Sequence, residues 1–483
     1  MMRAVGIGFA ALAAAALGGC AVGPDYRPPA LPAGGKPRIV EAELAAVAPT
    51  PLPSKWWRLF DDPVLDRLVE KALTANTDLR QAAANLQRAR AVLSEARAGR
   101  LPTSQVSAQY VRQRFGGQVF NAVGNFPVLT TDFFTTGFDA TYEVDLFGGV
   151  SRSIEAARAD AAAAQAQVDA ARVSVAAETA RAYAEACAFG AQLAVAEETA
   201  RLQDRTLDLT NRLFAGGRGT RRDVAQARVL VEQVRAQVPT LDAERRAALY
   251  ALAFLTGESP EKVDPEAAAC TRPPRVREPI PIGDGQALIA RRPDVRAAER
   301  SLAAGTARIG IATAELFPRI SLLGNALLGS PTIGNLPRSQ SFGYSLGPLI
   351  SWSFPFTGAA RARIRQAEAD AAAALAAFDG TVLTALQETE TALARLGGAA
   401  VREAALTRAE AASADAARLS DIRFRAGADN FLQLLDAERA RADARAALAE
   451  AQGARADAQI ALFKALGGGW EDAPPLPAAP NPN

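Results

Sequence analysis

The chain has 483 residues, with 54 Lys and Arg against 52 Asp and Glu for a net charge of +2, and it contains no histidine. Interspersed acids and bases in near balance give no patch suited to nucleic acid. The missing histidines exclude a zinc enzyme or a His-dependent hydrolase, leaving only Ser-Lys, carboxylate or thiol chemistry for an enzymatic reading.

At the N-terminus, Arg3 precedes an apolar run from Val5 to Leu17 that closes on Gly18-Gly19-Cys20. The run is shorter than the roughly 20 apolar residues of a spanning helix and has the order of a secretory signal. We read 1–19 as a signal peptide and Cys20 as the lipid attachment residue of the mature chain. The two glycines give a peptidase access, and the thiol can carry two acyl chains, which anchor where one does not. A signal with an incidental cysteine is the other reading. Pro and Gly stay dense as far as Pro53, so 20–61 reads as an extended, lipidated segment. No later stretch reads as long and uniformly apolar enough for a membrane helix, which leaves β-strands for any passage through a bilayer.

Ala-rich, charge-studded patterns predict helices at about 62–99, 152–213, 221–256, 287–316, 359–424 and 431–466. In the third, Val224, Ala227, Val231, Val234, Val238 and Leu241 step alternately by three and four, and Ala248, Leu252 and Leu255 resume the seam. Arg245 interrupts it, and Pro239 is expected to kink the helix. A helix of about 60 residues is roughly 90 Å long. With alanine faces that permit close packing, such helices suggest a long helical barrel or coiled-coil bundle, a scaffold or filament being the alternative.

Strands are predicted at about 103–115, 133–147, 318–329 and 341–356. From Phe138 to Leu146 the even positions are apolar or small and the odd ones polar or acidic. Phe342, Tyr344, Leu346, Ile350, Trp352 and Phe354 alternate against Gly343, Ser345, Gly347, Ser351 and Ser353, with a bend or bulge expected at Pro348. Four strands of membrane-crossing length cannot close a barrel, and an open edge in lipid is prohibitive. The chain is therefore expected to oligomerise around a shared barrel. A trimer or larger ring encloses a bore, whereas the eight strands of a dimer would be filled by side chains. A two-sheet soluble domain is the competing reading.

The halves repeat each other. Asp78-Leu79-Arg80 to Leu101-Pro102 is echoed by Asp294-Val295-Arg296 to Phe317-Pro318, Phe214-Ala215-Gly216-Gly217 by Phe424-Arg425-Ala426-Gly427, and Leu255-Thr256-Gly257 by Ala465-Leu466-Gly467. This places a first repeat at 62–270, a second at 271–470 and a Pro-rich tail at 471–483. Cys187, in a helical pattern, and Cys270, in a Pro-rich linker, read as two unpaired thiols, with a disulfide as the alternative.

The ordered segments Cys20-Ala21-Val22-Gly23-Pro24-Asp25-Tyr26, Trp56-Trp57, Arg292-Pro293-Asp294-Val295-Arg296, Phe317-Pro318-Arg319-Ile320-Ser321, Arg425-Ala426-Gly427 with Asp429-Asn430-Phe431-Leu432, and Lys464 to Trp470 resemble the TolC-like outer-membrane efflux factors, in their lipoprotein branch of the NodT and OprM kind. The resemblance covers nearly the whole mature chain. It implies duplicated helix-strand-strand-long helix-helix halves, a homotrimer with a helical barrel and a shared twelve-stranded transmembrane β-barrel, and passive conduction of drugs or other small molecules. The implied partners are outer-membrane lipid, a periplasmic adaptor and an inner-membrane pump, with a resistance-nodulation-division exporter the expected type. It implies no catalysis, no metal and no cofactor.

The same resemblance implies a periplasmic aperture at Asp429, where three copies would form an acidic ring favouring cations, with Asp436 deeper along the helix as a further acid. Phe424 and Arg425 would bridge neighbouring helices. The turns at Gly217, Arg218, Gly427 and Ala428 would contact the adaptor, the two glycines reversing the chain at positive φ. Asp139, Glu143 and Asp145 would face the lumen, and Phe138, Tyr142, Trp352 and Phe354 the lipid. A non-transporting structural lipoprotein and a lipid-anchored enzyme are the other function classes, the latter opposed by the lack of any nucleophile-elbow, phosphate-loop or metal-ligand spacing.

Overall fold

The computed structural model describes residues 21–32, 39–40, 47–115, 129–276, 279–353 and 357–475. Residues 1–19, Cys20 and Phe354 lie outside them. The elements in order are β1 (Val47–Ala48), α1 (Pro63–Ala75), α2 (Thr77–Ala98), β2 (Thr103–Phe115), β3 (Leu129–Val144), α3 (Gly149–Ala215), α4 (Arg221–Leu255), the short α5 (Pro265–Ala268), β4 (Ile280–Pro281), α6 (Gly285–Arg291), α7 (Pro293–Ala314), β5 (Arg319–Ser330), β6 (Phe342–Ser351), α8 (Gly358–Arg425) and α9 (Phe431–Ala465). They form two compact units. One comprises Met1–Pro29, Gln87–Ala163 and Ala298–Ala377, the other Ala30–Leu86, Ala164–Ala297 and Phe378–Asn483.

The first unit holds one antiparallel sheet of four strands in the order β2-β3-β5-β6. Paired residues share a face in an antiparallel sheet, so the register sorts the side chains. Val106, Phe138, Ala326 and Tyr344 make one row, and Tyr142, Leu322 and Pro348 another on the same face. On the opposite face run Thr103, Thr141, Leu323 and Gly347 in one row and Gln105, Asp139, Asn325 and Ser345 in the next. One face is thus largely apolar and the other largely hydroxyl, amide and glycine.

The strand boundaries differ from expectation in three places. β3 begins at Leu129 and ends at Val144. Asp145 leaves the sheet to cap α3, accepting bonds from Val150 N at 2.9 Å and Ser151 N at 2.8 Å, because the first turn of a helix carries unpaired N–H groups. β6 stops at Ser351, and Trp352 turns its Nε1 to Leu316 O at 3.0 Å. Pro348 makes no bulge. It pairs in unbroken register with Leu322.

Residues 21–26 are bound along this unit rather than trailing free. Val22 N donates to Phe147 O at 3.2 Å, and the buried Arg152 donates to Val22 O, to Gly23 O and, at 2.7 Å, to Asp25. Tyr26 donates to Glu299 at 2.8 Å, and burial together with that carboxylate pushes its phenol well above the ordinary range. Gly23, at φ +90, lies so close to Gly310 that a Cβ would sit 2.5 Å from the Gly310 Cα. The Gly-Pro-Asp-Tyr segment is therefore a strap with a backbone-on-backbone seat.

In the second unit, two helices predicted as continuous are each two. The chain breaks at Asn76 (φ −60, ψ 137) and at Arg292 (φ −61, ψ 120), the latter pushed out of helical geometry by Pro293. The breaks repeat one contact. Asn76 Nδ2 donates to Leu255 O at 3.0 Å at the end of α4, and Arg292 Nη1 donates to Ala465 O at 2.8 Å at the end of α9. Beside them Gly257 and Gly467 hold positive φ against Ala75 and Arg292. The duplicated motifs thus fold into duplicated helix ends.

The core of this unit gathers Trp56, Trp57, Phe60, Leu65, Leu252 and Phe463. Trp56 stacks on Phe463 at 4.6 Å, and Gly469 leaves room for the indole. Along α4 the heptad positions Ala227, Val231, Ala248 and Leu252 are buried, and the helix runs continuously through Pro239. Arg245, the interruption in the seam, reaches the linker at Ala268 O.

That linker is stapled: Cys187 and Cys270 form a disulfide, with Cα atoms 4.8 Å apart, which overturns the reading of two free thiols. Residue order alone sets no distance between a helix interior and a distant loop. In the fold, Gly190 lets the Cys270 backbone approach α3, where a Cβ would stand 2.3 Å from the Cys270 carbonyl oxygen. A second correction concerns apolar stretches. Helix α8 contains a stretch long and apolar enough by length and composition to cross a membrane, though most of it is not buried. Its apolarity comes largely from alanine.

Candidate functional site

Three surfaces carry the functional candidates: the turn between α3 and α4, the turn between α8 and α9, and the two-faced sheet. Both turns are built alike. Gly217 (φ +71) and Gly427 (φ +75) reverse the chain with open space where a Cβ would stand. Gly217 N donates to Phe214 O and Arg218 N to Leu213 O, and Gly427 N and Ala428 N repeat those bonds to Phe424 O and Arg423 O. This is the helix-closing pattern that favours glycine. Each following helix opens with a capping box, Thr220 with Asp223 and Asn430 with Gln433. Sequence reasoning did not anticipate these caps, although Thr-x-x-Asp and Asn-x-x-Gln carry the spacing of a cap signal.

The second turn holds Asp429 in place. Its carboxylate, only 10% exposed, accepts from Arg423 Nε at 2.8 Å. Arg423 thus ties the end of α8 to this turn, and nothing in the linear sequence singled it out. Arg425 pairs with Asp421 on its own helix at 2.9 Å. Phe424 packs edge-on against Phe431 of α9 at 6.0 Å. Asp436 is exposed farther along α9.

The first turn has the same backbone and the opposite chemistry. Arg218, Arg221 and Arg222 are exposed, and among the described residues none of them has an ion-pair partner. Two of these cations sit in the first turn of α4, where the helix dipole opposes positive charge by about 0.3–1 kcal/mol each.

On the sheet, Phe138, Tyr142, Tyr344, Leu346 and Ile350 project exposed from the apolar face. Among the described residues the polar face carries three charged residues. Glu143 lies 3.6 Å from Arg319, and Asp139 accepts from the Asn325 amide at 2.5 Å. Asp145, expected beside them, is committed to the α3 cap. Among the described residues no cluster of His, Cys, Asp or Glu could hold a metal ion.

Comparison with known proteins places this geometry. The sequence profile of the family described as outer membrane efflux protein matches residues 68–258 and 285–468. The chain is 33% identical to the outer membrane protein OprJ of Pseudomonas aeruginosa over 476 residues, covering 98% of both chains. It is 30% identical to the toluene efflux pump outer membrane protein TtgC of Pseudomonas putida, covering 95% of each. Its fold superposes on the solved structure of the outer-membrane channel OprN with a TM-score of 0.87 at 36% identity, covering 93% of this chain and all of that one. With the profile matching both halves and relatives matching end to end, the chain belongs to the outer membrane efflux protein family.

Proposed function

We propose that three copies of this chain assemble into the outer-membrane channel of a tripartite efflux system, a passive conduit that receives drugs or other small molecules from an adaptor and an inner-membrane pump. The observation that carries this reading is the open, two-faced sheet. Four strands with free edges at β2 and β6 and an apolar face are unstable alone, because every strand edge in lipid must be paired. Three copies pairing β2 with the neighbour's β6 close twelve strands, enough to leave an aqueous bore. The apolar face then meets lipid and the polar face water.

The strap fits an anchor at Cys20. Ala21, the next residue, lies against Gly148 just past the end of β3, so acyl chains on Cys20 would enter the bilayer beside the strand ends. The glycine turns fit the remaining roles. Gly217, Arg218, Gly427 and Ala428 are the exposed points for adaptor docking, and Asp429, Asp436, Phe424 and Arg425 lie on the hairpin that would constrict the pore. An inner-membrane pump accords with the efflux role named for TtgC, and we take it to be of the resistance-nodulation-division type.

The test is planar-bilayer recording of the detergent-purified, lipidated protein, with its oligomer mass measured in parallel. Step-like conductance from a stable trimer is the expected result. A monomer without conductance overturns the channel reading and leaves a structural lipoprotein.

A further inference from the structure

The charged residues of the four strands divide between the two faces. Arg112, Arg114 and Asp132 share the apolar face toward one end of β2 and β3, where Arg112 and Asp132 lie 3.8 Å apart. On the polar face stand Asp139, Glu143 and Arg319. Glu143 and Arg319 offset each other at 3.6 Å. Asp145 is withdrawn into the α3 cap. Asp139 is left as the uncompensated charge of that face. Its row across the sheet is Gln105, Asp139, Asn325 and Ser345, all polar and otherwise neutral, and among the described residues its side-chain partner is the neutral amide of Asn325 at 2.5 Å.

We infer that Asp139 sets the ion preference of the bore, as a ring of three carboxylates partway along the barrel that favours cationic and zwitterionic solutes over anions. The inference rests on the trimeric-barrel reading and deepens it. A ring of like charge in a water-filled bore with low-dielectric walls focuses potential and concentrates counter-ions. A neutral amide orients the carboxylate without cancelling it. Asp429, the acid expected to dominate selectivity, is the weaker candidate, because Arg423 holds it at 2.8 Å in the same chain.

The experiment is the reversal potential of the lipidated wild-type channel and its variants across a tenfold KCl gradient at low salt, where the Debye length is long, about 30 Å at 0.01 M. Asp139→Asn should lower the potassium-to-chloride permeability ratio about threefold or more, whereas Asp429→Ala should change it less than about twofold. Ser345→Lys, in the same row with Asp139 intact, should move the preference toward chloride and guards against a folding defect in the first variant. A wild-type ratio retained in both Asp139→Asn and Ser345→Lys overturns the inference while leaving the channel standing. A wild-type protein that does not conduct overturns the channel reading itself, and this inference with it.

Discussion

The two helix turns share a backbone and differ in charge. At the α3–α4 and α8–α9 turns the positive-φ glycine, the two closing hydrogen bonds and the capping box coincide. Between those fixed points the first turn carries Arg218, Arg221 and Arg222 without ion-pair partners among the described residues, while the second balances its charges internally through Arg423 with Asp429 and Arg425 with Asp421. Reversing a long helix constrains a few positions and leaves the others free, so duplication preserved the turn while its two copies acquired different surfaces. The hairpins differ again at their bases. The α3–α4 hairpin lies inside the loop closed by Cys187–Cys270, a separation of 83 residues, whereas both disulfide cysteines belong to the first half and α8–α9 has no cysteine.

The largest effect should come from that covalent difference. Closing a loop of this length contributes about 4 kcal/mol in the chain-entropy account, so Cys187→Ser with Cys270→Ser should raise hydrogen exchange across the α3–α4 hairpin and leave α8–α9 unchanged. Equal loosening of both hairpins would mean the staple acts on the whole fold.

Charge reversal at the first turn comes next. The triple change Arg218→Glu, Arg221→Glu and Arg222→Glu should weaken binding of the cognate adaptor to the purified channel on the order of 100-fold, roughly 1 kcal/mol per lost charge contact, with a reduced salt dependence. Ala428→Glu at the second turn should weaken it far less. Matching losses would show that the turns dock by backbone shape, not charge.

The smallest effect tests what the turns share. Gly217→Ala and Gly427→Ala each force a Cβ into the left-handed region without a steric neighbour, at a cost of about 1 kcal/mol. Thermal unfolding should report nearly equal losses, and a marked inequality would break the equivalence of the two turns.

The sequence by itself determined much of this protein. Local rules needing only nearest neighbours placed the long helices, the glycine turns, the duplicated halves and three of the strands to within a few residues. The same rules could have found the capping boxes. What required the tertiary structure were partners distant along the chain or choices between adjacent equals. Cys187 meets Cys270 only because Gly190 admits the linker, and Asn76 and Arg292 break their helices against carbonyls far along the chain. Asp145 becomes a cap once β3 ends one residue before it. Arg423, which the linear chain did not single out, takes Asp429 because the turn brings the two side chains within 2.8 Å. Alternation in a strand could mark its two faces, but only the register across four strands could align them and leave Asp139 without a counter-charge among the described residues, since electrostatic balance depends on distances the linear chain does not contain.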